Sequence, residues 1–130
     1  VGTGSGILSI LALKRGAGSI TAFDVDPLCA DAIHHHLSLN GHTDHDVMGF
    51  VGTHDALNQS GNADLVVINI IETIIRRILP DILEWVGDRV VLSGVLERDA
   101  VAFEQFIREL GLKVLDTRTR SEWICYLCER

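Results

Sequence analysis

Gly2, Gly4 and Gly6 open the chain as Gly2-Thr3-Gly4-Ser5-Gly6, and Asp24 follows 22 residues after Gly2. Glycines on alternate positions let backbone amides approach a ligand with no Cβ in the way, and the apolar run from Ile7 places that ligand at a helix amino end. A carboxylate about twenty residues on, at the end of the next strand, is placed to accept both hydroxyl protons of a ribose. Loop and acid together describe a nucleoside site; the plainer reading is a tight strand-to-helix turn beside a solvated aspartate. Asn69 stands at the end of a later strand. Its side-chain carbonyl, followed by the backbone carbonyl of Ile70, can touch a cofactor and accept an amine proton, or it can cap the helix that follows.

The spacing of the loop separates possible nucleosides. The dinucleotide fingerprint is G-x-G-x-x-G, whereas this loop is G-x-G-x-G with Ile7 where the last glycine would fall. The shorter form favours S-adenosylmethionine, which has no pyrophosphate and presents an amino acid and a ribose instead. A nicotinamide oxidoreductase is disfavoured by the same spacing.

These residues need strands and helices to hold them. The periodicity predicts a helix from about Ser5 to Arg15 and a short buried strand over Ser19 to Phe23. A second helix runs from Asp26-Pro27 to Asn40, capped by Asp26 and closed by Gly41. Asp46 to Val51 reads as a weaker strand, and Ala63 to Ile70 as a central parallel strand, apolar on both faces. A helix over Glu72 to Trp85, bent or restarted at Pro80, precedes a strand at Arg89 to Ser93. Then come a helix over Arg98 to Leu110 and an antiparallel pair, Lys113 to Thr117 with Glu122 to Cys128. The 130 residues make one domain of α/β class, a mostly parallel sheet with helices on both faces and a C-terminal antiparallel hairpin. The glycine loop begins with no apolar run before it, so the first strand is expected upstream of Val1.

With these motifs in place the chain resembles the catalytic domain of the ribosomal protein L11 methyltransferases. The resemblance rests on Gly2 to Leu8, Ala12-Leu13-Lys14, Phe23-Asp24-Val25-Asp26-Pro27, Leu39-Asn40-Gly41 and Ala63 to Ile70. It extends through Leu79-Pro80, Leu92-Ser93-Gly94-Val95-Leu96 and Glu122-Trp123, nearly the whole length. It implies a Rossmann-like class I fold, S-adenosylmethionine as cofactor, and methyl transfer to amino groups of a ribosomal protein. Gly2, Asp24 and Asn69 would contact the cofactor, and Asp55 stands where class I enzymes bind the adenine amino group, unless it is a helix N-cap. The family's amino-terminal substrate-recruiting domain and linker threonine have no counterpart here, and Val86-Gly87-Asp88 replaces its Pro-Gly-Gly turn. The alternatives are a class I methyltransferase for another protein or a small molecule, and a non-catalytic fragment.

Composition narrows the partners. Eleven Lys and Arg against eighteen Asp and Glu give a net charge of -7, the wrong sign for a phosphate-binding surface, so no direct nucleic-acid contact is expected. No apolar stretch is long enough to span a membrane. Three irregularly spaced cysteines do not form a disulfide framework and point to the cytoplasm. His34-His35-His36 point in three directions from a helix and cannot chelate one ion as a unit, and Cys125 and Cys128, three apart in a strand, face opposite sides, so no metal is expected. Trp85 and Trp123 read as core or rim.

Overall fold

Two compact units make up the chain, residues 1–57 and 58–130; the computed structural model describes residues 1–57 and 62–130. In the first unit the apolar run after the glycine loop forms α1 (Ile7–Lys14), and β1 (Thr21–Asp24) follows. The chain then enters α2 (Leu28–Leu39), whose start obeys the residue types: the Asp26 carboxylate accepts the Leu28 amide at 2.9 Å, and Pro27 supplies the φ of a first turn. Gly41, at φ +75°, closes that helix before β2 (Met48–Val51). β1 and β2 pair in parallel, from Thr21 opposite Met48 to Asp24 opposite Val51. Ile10, Ala22, Ile33, Leu37 and Val47 form the core that these elements share.

The second unit holds β3 (Ala63–Asn69), α3 (Glu72–Ile82), β4 (Val86–Leu96), α4 (Ala100–Glu109), β5 (Lys113–Arg120) and β6 (Trp123–Glu129). Its sheet has the order β3-β4-β6-β5. The β3–β4 ladder is parallel, and the β4–β6 and β5–β6 ladders are antiparallel, so the β-α alternation ends in a hairpin as the sequence predicts. Alternate residues of the strands face one way, and Val66, Ile68, Val90, Leu92, Tyr126 and Cys128 are buried together with Ile75, Leu79, Phe103 and Ile107 of the helices. Each such aliphatic or aromatic side chain stabilises the fold by about 1.5–3 kcal/mol through its removal from water. Phe103 lies against Tyr126 with ring centroids 5.6 Å apart, which seats α4 on the sheet. Arg76 links the two helices: it pairs with Glu72 on α3 and sets its guanidinium 4.8 Å from the ring centroid of Phe106 on α4.

Three elements differ from expectation. β3 is the outermost strand of its own sheet rather than a central one, and Leu65 on it is 52% exposed. β4 runs over 11 residues, beyond Arg89 to Ser93 at both ends: Val86 pairs with Ala63 of β3, and a bulge at Gly94 lets pairing with β6 resume at Val95. α3 passes through Pro80, ends two residues later, and tightens into a 3₁₀ turn at Leu83–Trp85. Among the described residues no helix is long and apolar enough to cross a membrane.

Candidate functional site

The glycine loop is shaped by the strand beside it. The Thr3 amide donates to the Phe23 carbonyl at 3.0 Å, the Gly6 amide to Thr3 O at 2.9 Å, and the Gly4 amide to Asp24 Oδ2 at 2.9 Å. These three donors are spent on the protein itself, so the loop has its form before any ligand arrives. Gly2, Gly4 and Gly6 all lie in the left-handed region, and the last two carry different constraints. A Cβ at Gly6 would sit 2.5 Å from Ile33 Cγ1, so this glycine lets α2 press on the loop. A Cβ at Gly4 would meet nothing within 4 Å, so the space beside it is open for a ligand.

Asp24 closes β1 and faces that loop. Its Oδ2 accepts the Gly4 amide and its Oδ1 the Asp26 amide at 3.1 Å. Partial burial pushes this carboxyl upward, but the amides of Gly4, Asp26 and Val25 and the thiol of Cys29 outweigh it and hold the group below the ordinary carboxylate value. A fixed, ionised, half-exposed carboxylate is the form that accepts two vicinal hydroxyls. Beside it opens a cavity of ≈ 670 Å³ lined by Thr3, Asp24, Cys29, Phe50 and Val51 among others. Phe50 stacks on Phe23 at 5.1 Å and gives the cavity an aromatic wall.

Asp55 follows β2 in a 3₁₀ turn, His54–Ala56, whose N-cap position is Thr53. The N-cap reading of Asp55 therefore does not hold. Its Oδ2 accepts the Thr53 hydroxyl at 2.7 Å, and that bond, followed by the charge of His54, keeps the carboxyl below its usual value. The turn is tied to the site by its approach: the Gly52 amide donates to the Asp24 carbonyl at 2.8 Å. The structure thus brings Gly2, Gly4, Gly6 and Asp24 together and sets Asp55 after the neighbouring strand.

Asn69 belongs to the second unit, where it ends β3 opposite Ser93 and is exposed. The N-cap position of α3 is Ile71 and the helix start has no side-chain cap, so Asn69 does not cap it. The turn after Asn69 meets β4 closely. A Cβ at Gly94, which has φ +97°, would lie 1.9 Å from the Ile70 carbonyl oxygen. Only glycine fits there.

Three residues in these sites escaped the sequence reading. Gly94 had a signal, a glycine within a strand pattern, but Cys29 had none that would place its thiol on Asp24. His36 is the third: Nδ1 lies 2.7 Å from the Ser5 carbonyl. Of its neighbours, His34 pairs with Asp44 at 2.7 Å. Among the described residues no group of three or more His, Cys, Asp or Glu is placed to hold a metal. Cys128 is buried and its thiol is pushed up to about 11 by that burial, with Cys125 adding to it. Trp85 is half-buried and Trp123 is exposed.

A β-α succession with parallel strands, ending in an antiparallel hairpin, and a glycine loop bonded to the acid that ends the following strand define the Rossmann-like fold of class I methyltransferases. Solved structures agree. The ribosomal protein L11 methylase of Lactobacillus delbrueckii subsp. bulgaricus superposes with a TM-score of 0.91 at 29% identity, over 99% of this chain and 66% of that one. TYW2 of M. jannaschii, solved in complex with AdoMet, shares the fold at 17% identity with a TM-score of 0.71, over 98% of this chain and 64% of that one. The sequence profile of the family described as Ribosomal protein L11 methyltransferase (PrmA) matches residues 1–130, and the chain belongs to that family. Two curated members are the ribosomal protein L11 methyltransferases of Myxococcus xanthus, 37% identical over 124 residues, and Symbiobacterium thermophilum, 36% identical over 129 residues. These alignments cover 95% and 98% of this chain but 42% and 41% of the relatives, so the chain spans about two fifths of their length.

Proposed function

We propose that this chain is the cofactor-binding and methyl-transferring part of an S-adenosylmethionine-dependent protein N-methyltransferase, with amino groups of a ribosomal protein as acceptor. The relatives are named for ribosomal protein L11, and that acceptor is carried over to this chain with the cytoplasm as compartment. The two units are read as parts of one domain, a reading supported by a solved L11 methylase that matches 99% of the chain.

The observation that carries the cofactor reading is Asp24. Its oxygens are fixed by two backbone amides, it is ionised, and it stands beside the open space at Gly4. Those residues fit a ribose with two free hydroxyls and an amino-acid tail passing the loop, and Asp55 is offered as the acceptor for an adenine amino group. When bound, S-adenosylmethionine supplies a methyl group on a sulfonium. The chain must then hold a neutral amine about 3 Å from that carbon and in line with the bond that breaks. A lysine amine has a reference pKa of about 10.4, so it arrives protonated and gives that proton to solvent water before it attacks. Asn69 Oδ1 and the Ile70 carbonyl are acceptors for the remaining N–H groups, and they orient the lone pair.

Calorimetric titration of the full chain with S-adenosylmethionine and with NAD tests this reading. Binding of the first and not the second is expected, together with methyl transfer to ribosomal protein L11. Tight binding of NAD alone would replace the methyltransferase reading with an oxidoreductase.

A further inference from the structure

We propose that His36 is a positioning residue for the glycine loop: its Nδ1–H donates to the Ser5 carbonyl and fixes the loop in the form that accepts the cofactor. The inference rests on the cofactor reading above. Nδ1 lies 2.7 Å from Ser5 O, a bond that reaches from α2 across 31 residues to the middle of the loop.

The geometry gives this bond a particular effect. In a trans peptide the carbonyl and the amide point in opposite directions. The Ser5–Gly6 peptide has its carbonyl on His36 and its amide on Thr3 O at 2.9 Å, so the plane is held at both ends. One turn earlier on the same helix, Ile33 fills the space that a Cβ on Gly6 would need, and so presses on the next residue of the loop. On the other side the Gly4 amide is held by Asp24 at 2.9 Å. Gly4, the residue with open space, is therefore flanked by two clamps, one from the end of β1 and one from α2. The base of α2 is itself fixed: the Asn40 side chain donates to the His36 carbonyl at 2.9 Å and accepts from Lys14 Nζ at 2.6 Å, which joins it to α1. A carbonyl accepts only, so Nδ1 must carry the proton, and the neutral Nδ1–H ring and the imidazolium both serve as donor.

Asparagine places its Nδ2 at the same number of bonds from Cα as histidine places Nδ1, and aspartate puts an oxygen there. Titration of the full chain with S-adenosylhomocysteine therefore compares the wild type with His36→Ala, His36→Asn and His36→Asp. Loss of one neutral hydrogen bond predicts about fivefold weaker binding in His36→Ala, at least as much in His36→Asp, and recovery to within about twofold of wild type in His36→Asn. The methylation rate at saturating cofactor should be unchanged in all three, since His36 acts through the loop. Nitrogen NMR of the ring in the wild type should show the Nδ1–H form. Equal binding by wild type and His36→Ala, an asparagine variant as weak as the alanine one, or a ring protonated on Nε2 alone would overturn the proposal. A wild type that binds no S-adenosylhomocysteine would instead remove the cofactor reading, and this inference with it.

Discussion

Asp24 and Asp26 stand two residues apart and both accept backbone amides, yet the partners assign them different work. Asp24 takes the Gly4 amide from across the loop, whereas Asp26 takes the Leu28 amide of its own helix. Asp24→Ala is expected to weaken S-adenosylmethionine binding by about 1.5–3 kcal/mol, the scale of charge-assisted hydrogen bonds. Asp26→Ala should cost about 1 kcal/mol of stability and leave affinity nearly intact. Calorimetry and denaturant melts separate the two, and equal losses of affinity would sink the assignment of Asp24. The carboxyl of Asp24 is also a pH sensor of the fold. Because its folded-state value is depressed, its stabilisation is complete above the unfolded pKa of about 3.9 and is lost as pH falls through the lower folded value. Acid melts should show this component in the wild type and not in Asp24→Asn. Asn69, which caps nothing, is expected to act on the amine. Asn69→Ala should lower the methylation rate at saturating cofactor by about 10²-fold, roughly 2.7 kcal/mol, and an unchanged rate would leave it without a catalytic role.

At the scale of elements, the glycines show how a turn serves a helix or a ligand. Gly4→Ala adds a methyl group to open space and forces it into the left-handed region, which costs about 1–2 kcal/mol of stability, while the methyl occupies the cofactor's approach. Gly6→Ala carries the same backbone cost and also drives into Ile33, and overpacking adds about 1–3 kcal/mol. The expectation is that Gly6→Ala melts well below Gly4→Ala, whereas Gly4→Ala loses cofactor affinity while folded. If Gly4→Ala binds as the wild type does, the cofactor does not pass this loop. Gly94→Ala has no side chain to displace, only the Ile70 carbonyl, so its penalty should exceed that of either. Chemical denaturation of the three variants gives the order.

At the scale of the whole chain, the two units have unequal cores. Val90, Leu92 and Tyr126 are 0% exposed on the middle strands of a four-stranded sheet, whereas β1 and β2 form a two-stranded ladder with Met48 65% exposed. Two-stranded ladders are marginal alone, and protection follows burial. Hydrogen exchange should therefore be slowest at residues 90–92 and 124–128 and faster at residues 21–24 and 48–51. Equal protection across both would mean that the chain opens as one cooperative body.

The succession of β and α elements, the cap at Asp26 and the terminal hairpin were legible in residue order, because period, turn residues and caps act over a few neighbours. So was the pairing of a glycine loop with an acid 22 residues on, since both lie at strand ends in any β-α-β succession. What residue order left open depends on contacts between distant segments. The stretch of β4 beyond Ser93 hinged on a bulge at Gly94, which packs close to the Ile70 carbonyl and restores pairing with β6. The place of β3 at the rim of its sheet is a matter of pairing partners, which its apolar composition does not encode. His36 read as one of three consecutive helix histidines, and its bond to Ser5 exists because α2 packs across the loop at Gly6 and Ile33. Local chemistry determined which groups this protein carries, and tertiary packing decided which of them meet.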